Sequence, residues 1–67
     1  MEMLHIRYDG SSREIPLAEV GLALDSATDA VFAAAANLLD VSRESFAGYE
    51  LARTDSSIVI HPEAQYG

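Results

Sequence analysis

Met3-Leu4-His5-Ile6-Arg7-Tyr8-Asp9-Gly10-Ser11-Ser12-Arg13-Glu14-Ile15-Pro16-Leu17 is the stretch on which the fold turns. Leu4, Ile6 and Tyr8 alternate with His5 and Arg7, the period-two pattern of a strand with one buried face. Asp9-Gly10-Ser11-Ser12 then supplies turn chemistry, because Asp-Gly accepts positive φ and serine bonds its own backbone. An N-terminal hairpin is expected, with a return strand over residues 13–17 and Ile15 and Leu17 facing in. Pro16 has no amide hydrogen, which assigns that strand to a sheet edge or makes it short.

Outward from the hairpin, residues 18–25 have two readings. Val20, Leu22 and Leu24 alternate well enough to continue the strand beyond a bulge at Gly21, and the same residues suit a looser connection. Ser26 and Thr28 are N-cap candidates for a helix over residues 27–39, and Asp29 complements its positive end. Val31, Ala34, Ala35 and Leu38 recur at helical spacing, widened by Phe32, Ala36 and Leu39, so the core face is broad. The alanines at 33–36 favour helix and let its axis approach a sheet closely. Residues 40–45 read as helix exit and turn. Residues 46–53 resume alternation as a third strand with Tyr49 and Leu51 on one face, and of Phe46 and Tyr49 one is expected buried and the other partly so, a recognition patch formed by the two being the alternative. The β-branched run Ser57-Ile58-Val59-Ile60-His61 is the fourth strand, with Ile58 and Ile60 inward and Val59 and His61 outward.

Strand, strand, helix, strand, strand is an α+β plan, one helix across one face of a four-stranded mixed sheet. The first and last strands have the most apolar cores and are expected side by side and parallel in the sheet centre. The domain is expected over residues 1–61, with residues 62–67 as a flexible tail, because Pro62 cannot extend a central ladder.

A chain of 67 residues without cysteine excludes disulfides, thiolate metal sites and thiol nucleophiles. Eleven acids against four arginines, with no lysine, give a net charge of −7, which repels nucleic acid and attracts basic protein surfaces. No stretch is long and apolar enough to span a bilayer and no cationic leader opens the chain, so a soluble cytoplasmic protein without membrane contact is expected. The search for catalytic groups finds no nucleophile motif, and no cofactor is expected. His5 and His61 face outward on strands expected to be adjacent, and a metal or acid–base role would need Glu14 or Glu63 as a third group. Neither histidine has zinc spacing, so no metal site is assigned.

The order of elements, with Ser57-Ile58-Val59-Ile60-His61 as last strand, Phe46-Ala47-Gly48 as the turn beside the middle strand, and a polar run to Gly67, resembles the ubiquitin-like β-grasp family. Simple bacterial ubiquitin-like modifiers are the nearest kind. The resemblance implies a β-grasp fold and a protein modifier that is not itself an enzyme. Its Gly67 carboxylate would be adenylated by an activating enzyme, passed to a conjugating enzyme and joined to a target protein by an isopeptide or ester bond. A deconjugating protease would reverse the step. Tyr66 stands where the family has glycine, and Glu63-Ala64-Gln65 replace an arginine-rich tail, so Gln65 and Tyr66 are the tail residues those enzymes would read. The family's exposed apolar patch maps onto Val59 and His61, with Ala52 on the neighbouring strand. Without lysine, copies of such a modifier could be joined only through the Met1 amine or a hydroxyl. A sulfur carrier of the molybdopterin or thiamine type and a noncovalent acidic binding or assembly module are the alternatives.

Overall fold

The computed structural model describes residues 1–63, so the expectations for Gln65, Tyr66 and Gly67 lie outside the described residues. Four strands are present, β1 (Met3–Tyr8), β2 (Ser11–Pro16), β3 (Tyr49–Arg53) and β4 (Ser57–Pro62), with one helix, α1 (Thr28–Leu39). Two short 3₁₀ helices, Leu17–Val20 and Arg43–Phe46, stand before α1 and before β3. The sheet order is β2-β1-β4-β3, antiparallel at both flanks and parallel between β1 and β4. One helix packs across a four-stranded mixed sheet, a compact α+β fold consistent with the β-grasp.

The hairpin forms as its residues dictate. Tyr8 pairs with Ser11, leaving a two-residue turn in which Asp9 and Gly10 both have positive φ, 51° and 79°. That is a type I′ turn, whose twist matches the flanking strands. Leu17 N–H bonds Glu2 C=O at 2.9 Å, and alternation from that pair turns the backbone groups of Ser12, Glu14 and Pro16 toward the free edge. Pro16 therefore costs the ladder nothing.

Leu17 is buried as expected, but it opens a 3₁₀ helix rather than closing the strand. The strand reading of residues 18–25 fails at Gly21: this glycine takes φ 70° and caps the 3₁₀ helix, while Leu22 N–H returns to Leu17 C=O at 3.0 Å. A left-handed residue turns the chain where a bulge would have kept it extended. The connection is compact, with Val20, Leu22 and Leu24 packed against the core.

The capping expectation is also corrected. Ala27 is the N-cap of α1 and no side chain caps it. Ser26 Oγ accepts Ala23 N–H at 2.9 Å, turning the preceding loop instead, and Thr28 already lies within the helix. At the other end Asp40 takes φ 56°, and Asp40 N–H and Val41 N–H reach Asn37 C=O and Ala36 C=O. This is the Schellman arrangement with aspartate where glycine is usual.

The core joins Leu4 and Ile6 of β1 and Ile58 and Ile60 of β4 to Val31, Phe32, Ala35 and Ala36 of α1, closed by Leu17 and Phe46 from the 3₁₀ helices. Phe46 stands in the short helix before β3, not in the strand expected to begin there. Its ring is central to an aromatic group, with centroids 5.1 Å from Tyr8, 5.3 Å from Tyr49 and 5.6 Å from Phe32. Each such pair adds about 0.5–1.5 kcal/mol beyond the area it buries.

Pro62, expected to open the tail, is the last residue of β4 and pairs with Tyr49. Glu63 N–H bonds Gly48 C=O at 2.8 Å, which makes Tyr49 and Pro62 a pair without direct backbone bonds and turns the Pro62 nitrogen toward β1. The proline halts the parallel ladder, whose register ends at Ile6 and Ile60, without disturbing pairing to β3. Strand β4 accordingly runs through Pro62, because proline has only to spare one of its two neighbours.

Asp40 combines a left-handed backbone with a negative charge at the negative end of α1. Asp40→Gly is expected to stabilise the domain by about 1 kcal/mol, which for a chain of this size raises the thermal midpoint by roughly 4–8 °C. Thermal unfolding followed by circular dichroism measures it, and an unchanged or lower midpoint contradicts the assignment of strain there.

Candidate binding surface

Alternation places Met3, His5 and Arg7 of β1, Ser12 and Glu14 of β2, Ser57, Val59 and His61 of β4, and Glu50 and Ala52 of β3 on the sheet face opposite α1. Register then sets them in rows. Glu14, His5, Val59 and Ala52 form one row across all four strands, and His61 stands beside Glu50 in the next. The three residues expected to form a binding surface are thus brought together: Val59 pairs directly with Ala52, and His61 lies two positions along β4 on the same side. Val59 and His61 are half-buried and Ala52 is exposed. The patch is small, two aliphatic side chains and one imidazole.

His5 Nδ1 lies 3.2 Å from Glu14 Oε1. His61 Nδ1 lies 2.9 Å from Pro62 C=O, a contact that requires the proton on Nδ1. A carboxylate holding one imidazole nitrogen is half of the arrangement that orients a catalytic base. No hydroxyl or other nucleophile among the described residues hydrogen-bonds His5 Nε2. Glu14 is 66% exposed, so the contact is a surface pair contributing about 0–1 kcal/mol. Among the described residues no group of three or more histidine, aspartate or glutamate side chains is placed to hold a metal ion. Glu14 is beside His5 as the sequence suggested, but His5 faces Val59 across the ladder rather than His61.

A depression of about 330 Å³ opens on this face, lined among others by His5, Arg7, Ser12, Glu14, Ser57 and Val59. Its volume is at the lower end of that of small-ligand sites, and its walls expose mostly carbon, from Val59 and from the stems of polar side chains, with few polar atoms to fix a small ligand. Such a surface accepts a protruding side chain of a partner more readily than it encloses a small molecule.

Compared with known proteins, the chain matches no family model, no curated protein and no solved structure to a significant degree. The residues of the surface therefore carry its interpretation. No helix among the described residues is long and apolar enough to cross a membrane.

Sequence reasoning passed over Arg53. On β3 it shares the inner side with Tyr49 and Leu51, and its guanidinium reaches past the end of the sheet to donate to Leu24 C=O, and to Ser26 C=O at 2.6 Å. The edge strand is thereby tied to the loop that delivers α1. The signal available in sequence was parity, since an arginine in step with two core-facing residues must find a polar partner on that side. Arg43 similarly lies 4.5 Å over the Phe32 ring and 3.5 Å from Asp29.

Arg53→Ala removes two charged donors from loop carbonyls at an exposed site and is expected to cost about 1 kcal/mol. Urea unfolding gives the cost, and native-state amide exchange should accelerate in residues 22–26 ahead of the rest of the chain. Acceleration spread evenly over the sheet would contradict a local tie.

Proposed function

We propose that this chain is a ubiquitin-like protein modifier that presents its C-terminal segment to partner enzymes, with Gly67 as the residue conjugated. The observation that supports the reading is the topology. The last strand lies beside the first at the sheet centre, and the chain passes its final pairing with β1 at Ile60 and leaves the sheet at exposed Glu63, with four residues to Gly67. A β-grasp core in this role is a rigid handle, while activating, conjugating and deconjugating enzymes supply the catalytic groups. In the cytoplasm the net charge of −7 would favour encounter with basic enzyme surfaces. Val59, Ala52 and His61 would be read by those enzymes on the open face, and Gln65 and Tyr66 in their channel.

The reading requires Gly67 to bear the free carboxylate in the working protein. An N-terminally tagged copy expressed in its own cells should give higher-mass adducts that survive denaturing electrophoresis. Peptide mass spectrometry should place Gly67 in the new amide or ester bond, and deletion of Gly67 should abolish the adducts. Adducts that persist without Gly67, or none at all in cells that contain the chain's natural partners, overturn the reading. A sulfur carrier would instead show an intact mass raised by one oxygen-to-sulfur exchange.

The noncovalent module remains as a second reading because the open face carries its own half-buried patch. A partner that binds equally well after removal of residues 63–67, and is lost on Val59→Asp, would decide for it.

A further inference from the structure

Both flanking strands leave backbone groups unpaired, and the two edges differ in chemistry. Thr54 N–H bonds Ser57 C=O at 2.8 Å and Glu63 N–H bonds Gly48 C=O at 2.8 Å. These pairs bracket the β3–β4 ladder and fix its alternation. Glu50 and Ala52 direct their N–H and C=O toward β4, while Tyr49, Leu51 and Arg53 direct theirs away from the sheet. No backbone or side-chain hydrogen bond to those outward groups is made among the described residues. An edge of this kind is a template for another strand unless proline, lysine or a bulge guards it. β2 is guarded, since one of its outward positions is Pro16. The run Tyr49-Glu50-Leu51-Ala52-Arg53 has no proline, lysine or bulge, and its inward-side cation, Arg53, stands at the strand's end with its guanidinium held by loop carbonyls.

The side chains along the β3 edge state what would pair with it. Tyr49 and Leu51 are half-buried on the helix side, so a pairing strand extends the core by setting apolar residues beside them. On the open-face side stands exposed Glu50, with Asp55 in the turn that follows β3 and Glu63 bonded at its start. The one cation of the strand, Arg53, has its guanidinium drawn to the carbonyls of Leu24 and Ser26. A second copy of this chain would bring another seven negative charges and is disfavoured.

We infer that the free edge of β3 is a docking site for an extended segment of a basic partner protein, in which lysine or arginine alternates with apolar residues. The segment adds a fifth strand, bonded by the outward groups of Tyr49, Leu51 and Arg53, with its apolar side chains beside Tyr49 and Leu51 and its cations beside Glu50. The site lies wholly within the described domain and does not depend on what Gly67 does.

The probe is a capped hexapeptide of alternating lysine and valine, titrated into the isotope-labelled full chain and followed by NMR, with a glutamate–valine peptide as control. Amide exchange at Tyr49, Leu51 and Arg53 is expected to slow at least tenfold on saturation with the lysine peptide, and the glutamate peptide to leave the spectrum unchanged. Glu50→Lys, at an exposed position, is expected to weaken binding several-fold while the free protein's spectrum remains folded. Absence of binding at millimolar peptide, protection at Ser12 and Glu14 instead, or equal binding of both peptides overturns the inference.

Discussion

Everything in this domain rests on the parallel contact between its first and last strands. Among the described residues β1 and β4 are the only strands paired on both sides, and their inward residues Leu4, Ile6, Ile58 and Ile60 are almost wholly withdrawn from solvent. Burial of each such side chain contributes about 1.5–3 kcal/mol, a large share of what a chain of this length can accumulate. The helix adds little volume of its own where it crosses them. Ala35 and Ala36 share the buried cluster with the four aliphatic residues, and Val31 and Phe32 supply its larger helical side chains.

The two ends of the sheet are finished by different chemistry. At the end bearing the Asp9-Gly10 turn, three aromatic rings pack around Phe46, and the hydroxyl of Tyr49 lies within 3.5 Å of Asp9 N–H. Tyr8 and Tyr49, from strands on opposite sides of β4, stack at 5.6 Å, so the rings span the strand between them. At the opposite end apolar contact gives way to polar ties, with Arg53 bonding the carbonyls that precede α1. One end is held by area and the other by directed hydrogen bonds. The open face between them is mostly polar, with Val59 and Ala52 set among histidine, arginine, serine and glutamate.

The sheet was legible because alternation, an Asp-Gly turn and a β-branched run are short-range signals that fix which side chains share a face. The burial of Ile58 and Ile60 and the outward aspect of Val59 and His61 follow from that parity, and the edge position of β2 follows from Pro16. The misreadings occur where long-range partners decide. Val20, Leu22 and Leu24 have the spacing to continue β2, yet its pairing with β1 ends at Met3 and Pro16, and Gly21 turns them onto the core. Ser26 has the chemistry of a cap but bonds the loop behind it. Pro62 reads as a breaker until the direction of its nitrogen is known. At the candidate surface, parity placed Ala52, Val59 and His61 on one face, whereas the row that adds His5 and Glu14 depends on strand register. The reach of Arg53 depends on a loop conformation that no local pattern encodes.

The strands that define the centre are separated by about fifty residues of chain. During synthesis the hairpin has its local turn at once, and α1 can form behind it, but β1 keeps one bare margin and the helix has half a floor until Ile58 and Ile60 clear the ribosome. Nascent chains arrested before that point should therefore carry an apolar surface that chaperones recognise, and folding should come abruptly once Ile58 and Ile60 are free to pair with β1.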